Sequence, residues 1–264
     1  MSIAARILTI HSMLALVLII GVFVALTTAG FFVTRKFMPE KFEPSHNNIV
    51  GYIFGTLGTI YAVLLGFAIL VIWQDYGNTQ QYVALEAAES VTFYQDLSLY
   101  PDPEAAYPVK AALAAYISSL IKDEFPAMAR MQSSVATDEA FQNLWNKLGT
   151  LDPRNMREQT LYGQILTDMN SLARSRTSRL QAAVDELPEM IWLALIFGAV
   201  VTVGCTLSFS ADHVMAHLFM ASLLTTLLAI VCFVMVGLDH PFIGWGAIQP
   251  AHFERALEVI RQGL

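Results

Sequence analysis

Charged side chains are absent from four blocks of the chain, 12–34, 49–74, 190–211 and 214–238. A helix of about 20 apolar residues spans the hydrocarbon of a bilayer, and each block reaches that length. A helix packed on the core of a soluble protein shows one apolar stripe, whereas these blocks are apolar on all sides. The pattern therefore predicts four membrane-spanning helices in two pairs. The first block follows Arg6, as in a secretion signal, but it ends in Phe-Phe-Val-Thr-Arg-Lys at 31–36 and not in a small-residue cleavage site. It reads as a span. Ile3, Ile7 and Leu8 suggest a short interfacial helix over 1–11.

Between the pairs, polar and apolar residues mix at helical spacing, and no stretch alternates as a strand does. The second span continues into water from Trp73 to Leu99, and Pro101 and Pro103 end it. A helix is expected over 104–124, kinked or restarted at Pro126. Thr137-Asp-Glu-Ala marks another start and Gly149 its stop. Asp152-Pro153 reads as a cap and first helical position, opening a helix that runs to Leu187, where Pro188 introduces the third span. The expected fold is an all-α membrane protein: an N-terminal segment with spans 1 and 2 (1–73), a helical domain inserted between spans 2 and 3 (74–187), spans 3 and 4 (188–238) and a tail (239–264).

Composition agrees with this division. Apolar residues make up 55% of the chain and charged residues 14%, against about 25% charged in ordinary soluble proteins. The insert holds most of the net charge of −7. An acidic surface argues against nucleic acid, which needs clustered cations. It is either ordinary solvation or a field that enriches cations near a pore mouth. Four spans put the N-terminus, insert and C-terminus on one side. That side carries Arg6, Arg174, Arg176, Arg179 and Arg255 near the membrane; the other carries Arg35, Lys36 and Lys41. Positive residues favour the cytoplasm, so the insert is expected there. Cys205 and Cys232 sit at different depths of one hairpin and read as small buried hydrophobes, not a disulfide.

Candidate chemistry is sparse. Gly51, Gly55 and Gly58 form a small-residue stripe on the second span that permits close helix approach. Gly55, Thr59, Val63 and Phe67 repeat every fourth residue on one face, and rings of such residues from several copies could form an apolar constriction. No acid or base interrupts the middle of any span, which counts against a pump or coupled transporter. Asp212, His213 and His217 are weak candidates for a transition metal; the glutamate of a zincin helix is missing between the histidines. Capping is the default for them. No nucleophile-base motif, Walker loop or dinucleotide fingerprint is present, so no enzyme and no cofactor is expected. Arg174, Arg176 and Arg179 could hold phosphate or anionic lipid headgroups.

Gly-Leu-Asp-His-Pro-Phe-Ile-Gly-Trp-Gly at 237–246 closes the fourth span. Pro241 stops the helix and Phe242 and Trp245 suit the headgroup level. An acid at a helix C-terminus opposes the dipole, so Asp239 is expected to have a partner, such as an arginine on the same side.

These residues resemble a family. Asp239-His-Pro-Phe-Ile-Gly244 is similar to the Asn/Asp-Pro-Phe-Gly segment after the last span of bestrophins. Leu65-Gly66-Phe67 and Trp73-Gln-Asp-Tyr76 resemble elements of the bestrophin second helix, and Met169-Asn-Ser-Leu172, the arginine cluster and Pro188 resemble the run before its third span. The order is kept over most of 50–250, and the likeness is nearest to bestrophin-like membrane proteins of bacteria and plants. The resemblance implies a homo-oligomer, a pentamer in bestrophins, that passes small monovalent ions along a pore lined by the second span, here in a bacterial inner membrane. Anchored on Leu-Gly-Phe, the neck falls on Thr59, Val63 and Phe67; anchored on the tryptophan, it falls on Gly55, Thr59 and Val63. Trp73, Tyr76, Asp239, His240, Pro241 and Phe242 would then form the junction between membrane and cytoplasm. Animal bestrophins place a calcium-binding carboxylate run after Pro-Phe-Gly, but here no acid precedes Glu254. Animal and plant relatives pass anions and a bacterial one cations; the acidic insert leans toward cations. A non-conducting scaffold with the same fold is the alternative.

Overall fold

The computed structural model describes residues 12–37, 44–209 and 213–263. Among them no strand occurs, and the fold is all-α. The elements are α1 (Ser12–Phe37), α2 (Pro44–Ser98), α3 (Pro103–Ser119), a π-helical turn (Leu120–Glu124), α4 (Phe125–Met128), α5 (Val135–Leu148), α6 (Met156–Ala182), α7 (Glu189–Leu207), α8 (Val214–Asp239) and α9 (Ala251–Gln262). Four of these helices are long and apolar enough to cross a membrane, α1, the first part of α2, α7 and α8. The expected interfacial helix over 1–11 lies outside the described residues.

The chain divides into two compact units. One holds 186–240 with the spans that precede residue 75, the other 75–185 with 241–264. α2 contributes to both as one unbroken helix of 55 residues. Its buried positions explain why it can. Tyr61, Ala68 and Ile72, with half-buried Leu65, face the membrane unit's core, and Thr79, Val83, Glu86, Ser90, Phe93 and Leu97 are buried in the other unit. The steps alternate between three and four residues, the spacing of a single helix face.

In the membrane unit, α1 packs along α8, and both touch α7. Tyr61 links α2 to α7. Its ring lies flat enough on Gly198 that a Cβ there would collide with it, and its hydroxyl donates to Leu195 O at 3.1 Å. Thr27 and Thr225 pair their hydroxyls at 2.9 Å between α1 and α8.

In the inserted unit, α3, α5, α6 and α9 share one apolar core with the second half of α2. Local chemistry moved several helix ends from where the sequence suggested them. α5 starts at Val135 because Ser134 accepts from the Thr137 N–H; Thr137 is inside the helix, not its start. α6 starts after Asn155, which accepts from the Glu158 N–H while Glu158 accepts from the Arg154 N–H. That reciprocal cap outcompetes Asp152-Pro153. α6 ends at Ala182 and the third span begins at Glu189, leaving 183–188 as a turn and linker instead of helix. The helix expected over 104–124 becomes α3 followed by the π turn.

Candidate functional site

The proposed pore face lies on α2, which also carries Trp73 and Tyr76 of the proposed junction; the other junction residues lie at and just after the end of α8. Gly55, Thr59, Val63 and Phe67 all point away from the core face of α2 and are exposed; Val63 is 54% and Phe67 64% accessible. The Thr59 hydroxyl donates to Gly55 O at 2.8 Å, so it is satisfied inside its own helix. The glycines of the stripe do not pack within the chain. A Cβ at Gly55, Gly58 or Gly66 would meet nothing within 4 Å, and one at Gly51 would only touch Phe209 at 3.9 Å. The same side of α2 continues as Gln74, Gly77, Gln81, Ala88, Thr92 and Gln95, all exposed and all uncharged.

The junction residues divide between the units. In the membrane unit, Asp239 closes α8, and its two carboxylate oxygens accept from the Leu187 N–H at 2.9 Å and the Trp192 Nε1–H at 3.2 Å. An arginine partner was expected; the structure supplies the start of α7 instead. α7 runs back beside α8, so its positive N-terminal end stands next to the acid, which offsets the unfavourable dipole of the helix that carries it. His240 is buried, its Nδ1 3.1 Å from Val236 O and its Nε2 3.5 Å from Glu186. Trp73 is exposed. In the inserted unit, the Tyr76 hydroxyl donates to Gly246 O at 2.7 Å. Pro241 O accepts from the Ile248 N–H at 2.8 Å, and Phe242 is buried against Phe125 with ring centroids 5.8 Å apart. Gly244 takes φ 82°, the left-handed region that only glycine enters cheaply.

The arginine cluster is corrected by the structure. Arg179 is fully buried, its Nε 2.6 Å from Glu86 and its Nη2 2.6 Å from Glu124. Arg176 binds Glu124 at 2.9 Å and Asp138 at 2.7 Å, and its guanidinium lies 4.9 Å from the Phe141 ring centre. Neither is available to a headgroup, because each guanidinium is already held by carboxylates inside the fold. Arg174 remains exposed and donates to Ser171 Oγ. Tyr116 also donates to Glu86. Burial, then the charge of Glu86, holds the Tyr116 phenol well above its usual range, so it stays a donor. Burial alone would lower the Arg179 pKa, but Glu86 and Glu124 reverse that and raise it. The π turn carries Glu124 into this network; one extra residue per turn at this point sets the direction of its side chain.

Among the described residues no three His, Cys, Asp or Glu side chains converge as a metal would need. Asp212 lies outside the described residues. His213 is the exposed first residue before α8, and His217 is buried with Nε2 2.7 Å from Thr206 O and its ring edge-on to Phe31. Nε2 faces a carbonyl and so carries the proton.

Sequence reasoning missed Glu86, Glu124, Tyr116 and the Tyr61–Gly198 contact. Glu86 had a visible signal: an acid at a position where the three-and-four spacing of α2 demands an apolar residue.

The bestrophin-like domain family matches residues 21–253. The chain belongs to that family. Solved structures agree on the fold. A bacterial bestrophin homologue from Klebsiella pneumoniae, phased on zinc, matches with TM-score 0.68 at 16% identity over 93% of this chain and 98% of that one. The same homologue with a single substitution matches with TM-score 0.70 at 15% identity over 94% and 98%. A substituted chain described as a membrane protein gives TM-score 0.69 at 15% identity over 94% and 97%. At such identities the likeness is one of fold alone. No curated protein matches this chain in sequence.

Proposed function

We propose that this bestrophin-like membrane protein assembles with copies of itself into a passive channel for small monovalent ions, with α2 around the axis. Thr59, Val63 and Phe67 form its narrowest part, with Gly55 one turn beyond. The N-terminus, the inserted unit and the C-terminus face the cytoplasm of a bacterial inner membrane, and five copies surround the axis as in bestrophins. The observation that carries this reading is the outward stripe of α2. From Gly55 to Gln95 it is exposed and free of charge, while from Tyr61 onward the opposite face carries the buried residues of the helix. An apolar constriction passes ions without a charged binding site. This fits spans whose interiors hold no acid or base.

Purified protein in planar bilayers tests the proposal. Discrete currents are expected, and Val63→Ala and Phe67→Ala are expected to raise their amplitude by widening the neck. Currents unaltered by both substitutions would reject the neck assignment. The open space around Gly55, Gly58 and Gly66 also suits a scaffold whose α2 helices pack shut. Silent bilayers, together with an axis closed by side chains when imaged in nanodiscs, would favour that second reading.

A further inference from the structure

A cavity of about 400 Å³ opens between α1, α7 and α8 in the membrane unit. That lies within the range of about 300–1,000 Å³ typical of ligand pockets. Its depth is fixed by two residues: Thr27 sits near the middle of α1 and Thr225 near the middle of α8. The medium that reaches such a depth is hydrocarbon.

The walls make no polar demand. Thr225 donates to Ala221 O at 2.9 Å and accepts from Thr27 at 2.9 Å, so both hydroxyls are satisfied within the protein. No acid or base lines the cavity. A trapped water needs two to four polar partners, and an ion or headgroup needs more. The mouth is framed by Leu26, Ile196 and Val200, which are exposed and bulky. Association of helices in lipid relies on small residues and interhelical hydrogen bonds, and this rim offers neither to a second copy. The wall contains Gly204, where a Cβ would meet nothing within 4 Å, and a single thiol, Cys232.

We propose that this cavity is a binding site for one acyl chain of a membrane lipid, entered past Leu26 and Val200 and seated over Gly204 and Cys232. The chain would fill space that water cannot occupy, and its contacts would be dispersive.

The test uses the full-length protein in nanodiscs that contain phosphatidylcholine with a diazirine at mid-chain. After irradiation, adducts are mapped by mass spectrometry. They are expected on the peptides of Leu26, Val203 and Cys232 at several times the yield found at Phe219 and Leu223, which are exposed on the outside of α8. Gly204→Phe fills the cavity and is expected to remove the first set and leave the second. Equal yields at all these positions, or adducts that persist in the filled variant, would overturn the proposal. A second readout needs no substitution. Alkylation of Cys232 by an apolar maleimide in lipid-stripped detergent is expected to slow several-fold when phosphatidylcholine is returned, while Cys205, outside the cavity, is unaffected. No slowing, or slowing that follows protein concentration and not lipid, would show an empty cavity or one filled by a second copy, and either result overturns the assignment.

Discussion

Arg179→Met is the most informative single change in the inserted unit. The substitution keeps the length and apolar character of the side-chain stem and removes only the charge and its donors. The charges of buried Glu86, Glu124 and Arg179 and of partly buried Arg176 balance; Asp138, half exposed, is screened by water. Without Arg179, Glu124 keeps Arg176, but Glu86 keeps only the neutral Tyr116 hydroxyl in a fully buried site. Losing one partner of a buried pair costs about 3–5 kcal/mol. Proton uptake sets a ceiling on the charge part of that loss. Protonating a carboxyl of ordinary pKa, about 4.3, costs roughly 1.4 kcal/mol per pH unit, so close to 4 kcal/mol at pH 7 and about 1 kcal/mol at pH 5.

The loss in the variant is therefore expected to depend on pH. A buried carboxyl left without a cation favours its neutral form, so it supports folding at low pH and opposes it as pH rises. Thermal unfolding of the detergent-solubilised protein is the assay. The melting point of Arg179→Met should lie on the order of 10 °C below the parent at pH 7.5, taking about 2–4 °C per kcal/mol for a chain of this size, with most of the gap closed at pH 5. Adding Glu86→Gln should recover much of it at pH 7.5, because the double variant leaves no unpaired buried charge. An equal gap at both pH values, or no recovery in the double variant, would mean that the network acts through packing and not through charge.

Other substitutions probe separate links. Gly198→Ala places a methyl in the Tyr61 ring and should cost about 1–3 kcal/mol as overpacking; a Tyr61→Leu background should lessen that loss in the same melting assay, and an unchanged loss would exclude the contact as its cause. Asp168 has its pKa raised to about 6, first by burial and then by Asp96, and Glu89 adds to it. A raised carboxyl supports folding at low pH and opposes it above the folded pKa, so Asp168→Asn should raise the melting point at pH 7.5 and bring it closer to the value at pH 5. Met131, in the turn that follows α4, takes φ 57°, while the Gln132 N–H reaches back to Ala127 O at 3.0 Å; Met131→Gly should relieve about 1 kcal/mol of left-handed strain and raise the melting point.

The spans could be read from the sequence because a bilayer demands length and apolarity together, and few other environments do. That Thr59, Val63 and Phe67 share one face of α2 was also legible, since a spacing of four fixes it whatever surrounds them; that this face points away from the core was not. Arg179 was not. Ten residues before a span, a basic cluster reads as a headgroup contact, and its true partner Glu86 lies 93 residues away along the chain. Only the fold brings them together. Asp239 fell between these cases. The dipole argument required a partner but could not choose one, because the choice depends on α7 lying antiparallel beside α8. Ser134 and Asn155 show the same limit at short range: several residues near a helix start could cap it, and the cap is the one whose oxygen meets an N–H.

α2 separates two kinds of chemistry by face. Its buried side carries Glu86, Ser90 and Thr79 among apolar residues, and each polar group there is bound within its own chain. Its outward side carries Gly55, Thr59, Val63, Phe67 and Gln74 in the membrane unit and, beside exposed Leu85, small side chains, amides and a hydroxyl in the inserted unit, without a charge from Gly55 to Gln95. Acidity of the insert as a whole therefore says little about what an ion on the α2 side would meet. On the proposed reading, the neck sorts ions by the ease with which they shed water in an apolar ring, not by the sign of a fixed charge. Preference for cations would have to come from acids on other elements, acting at a distance over which salt screens them.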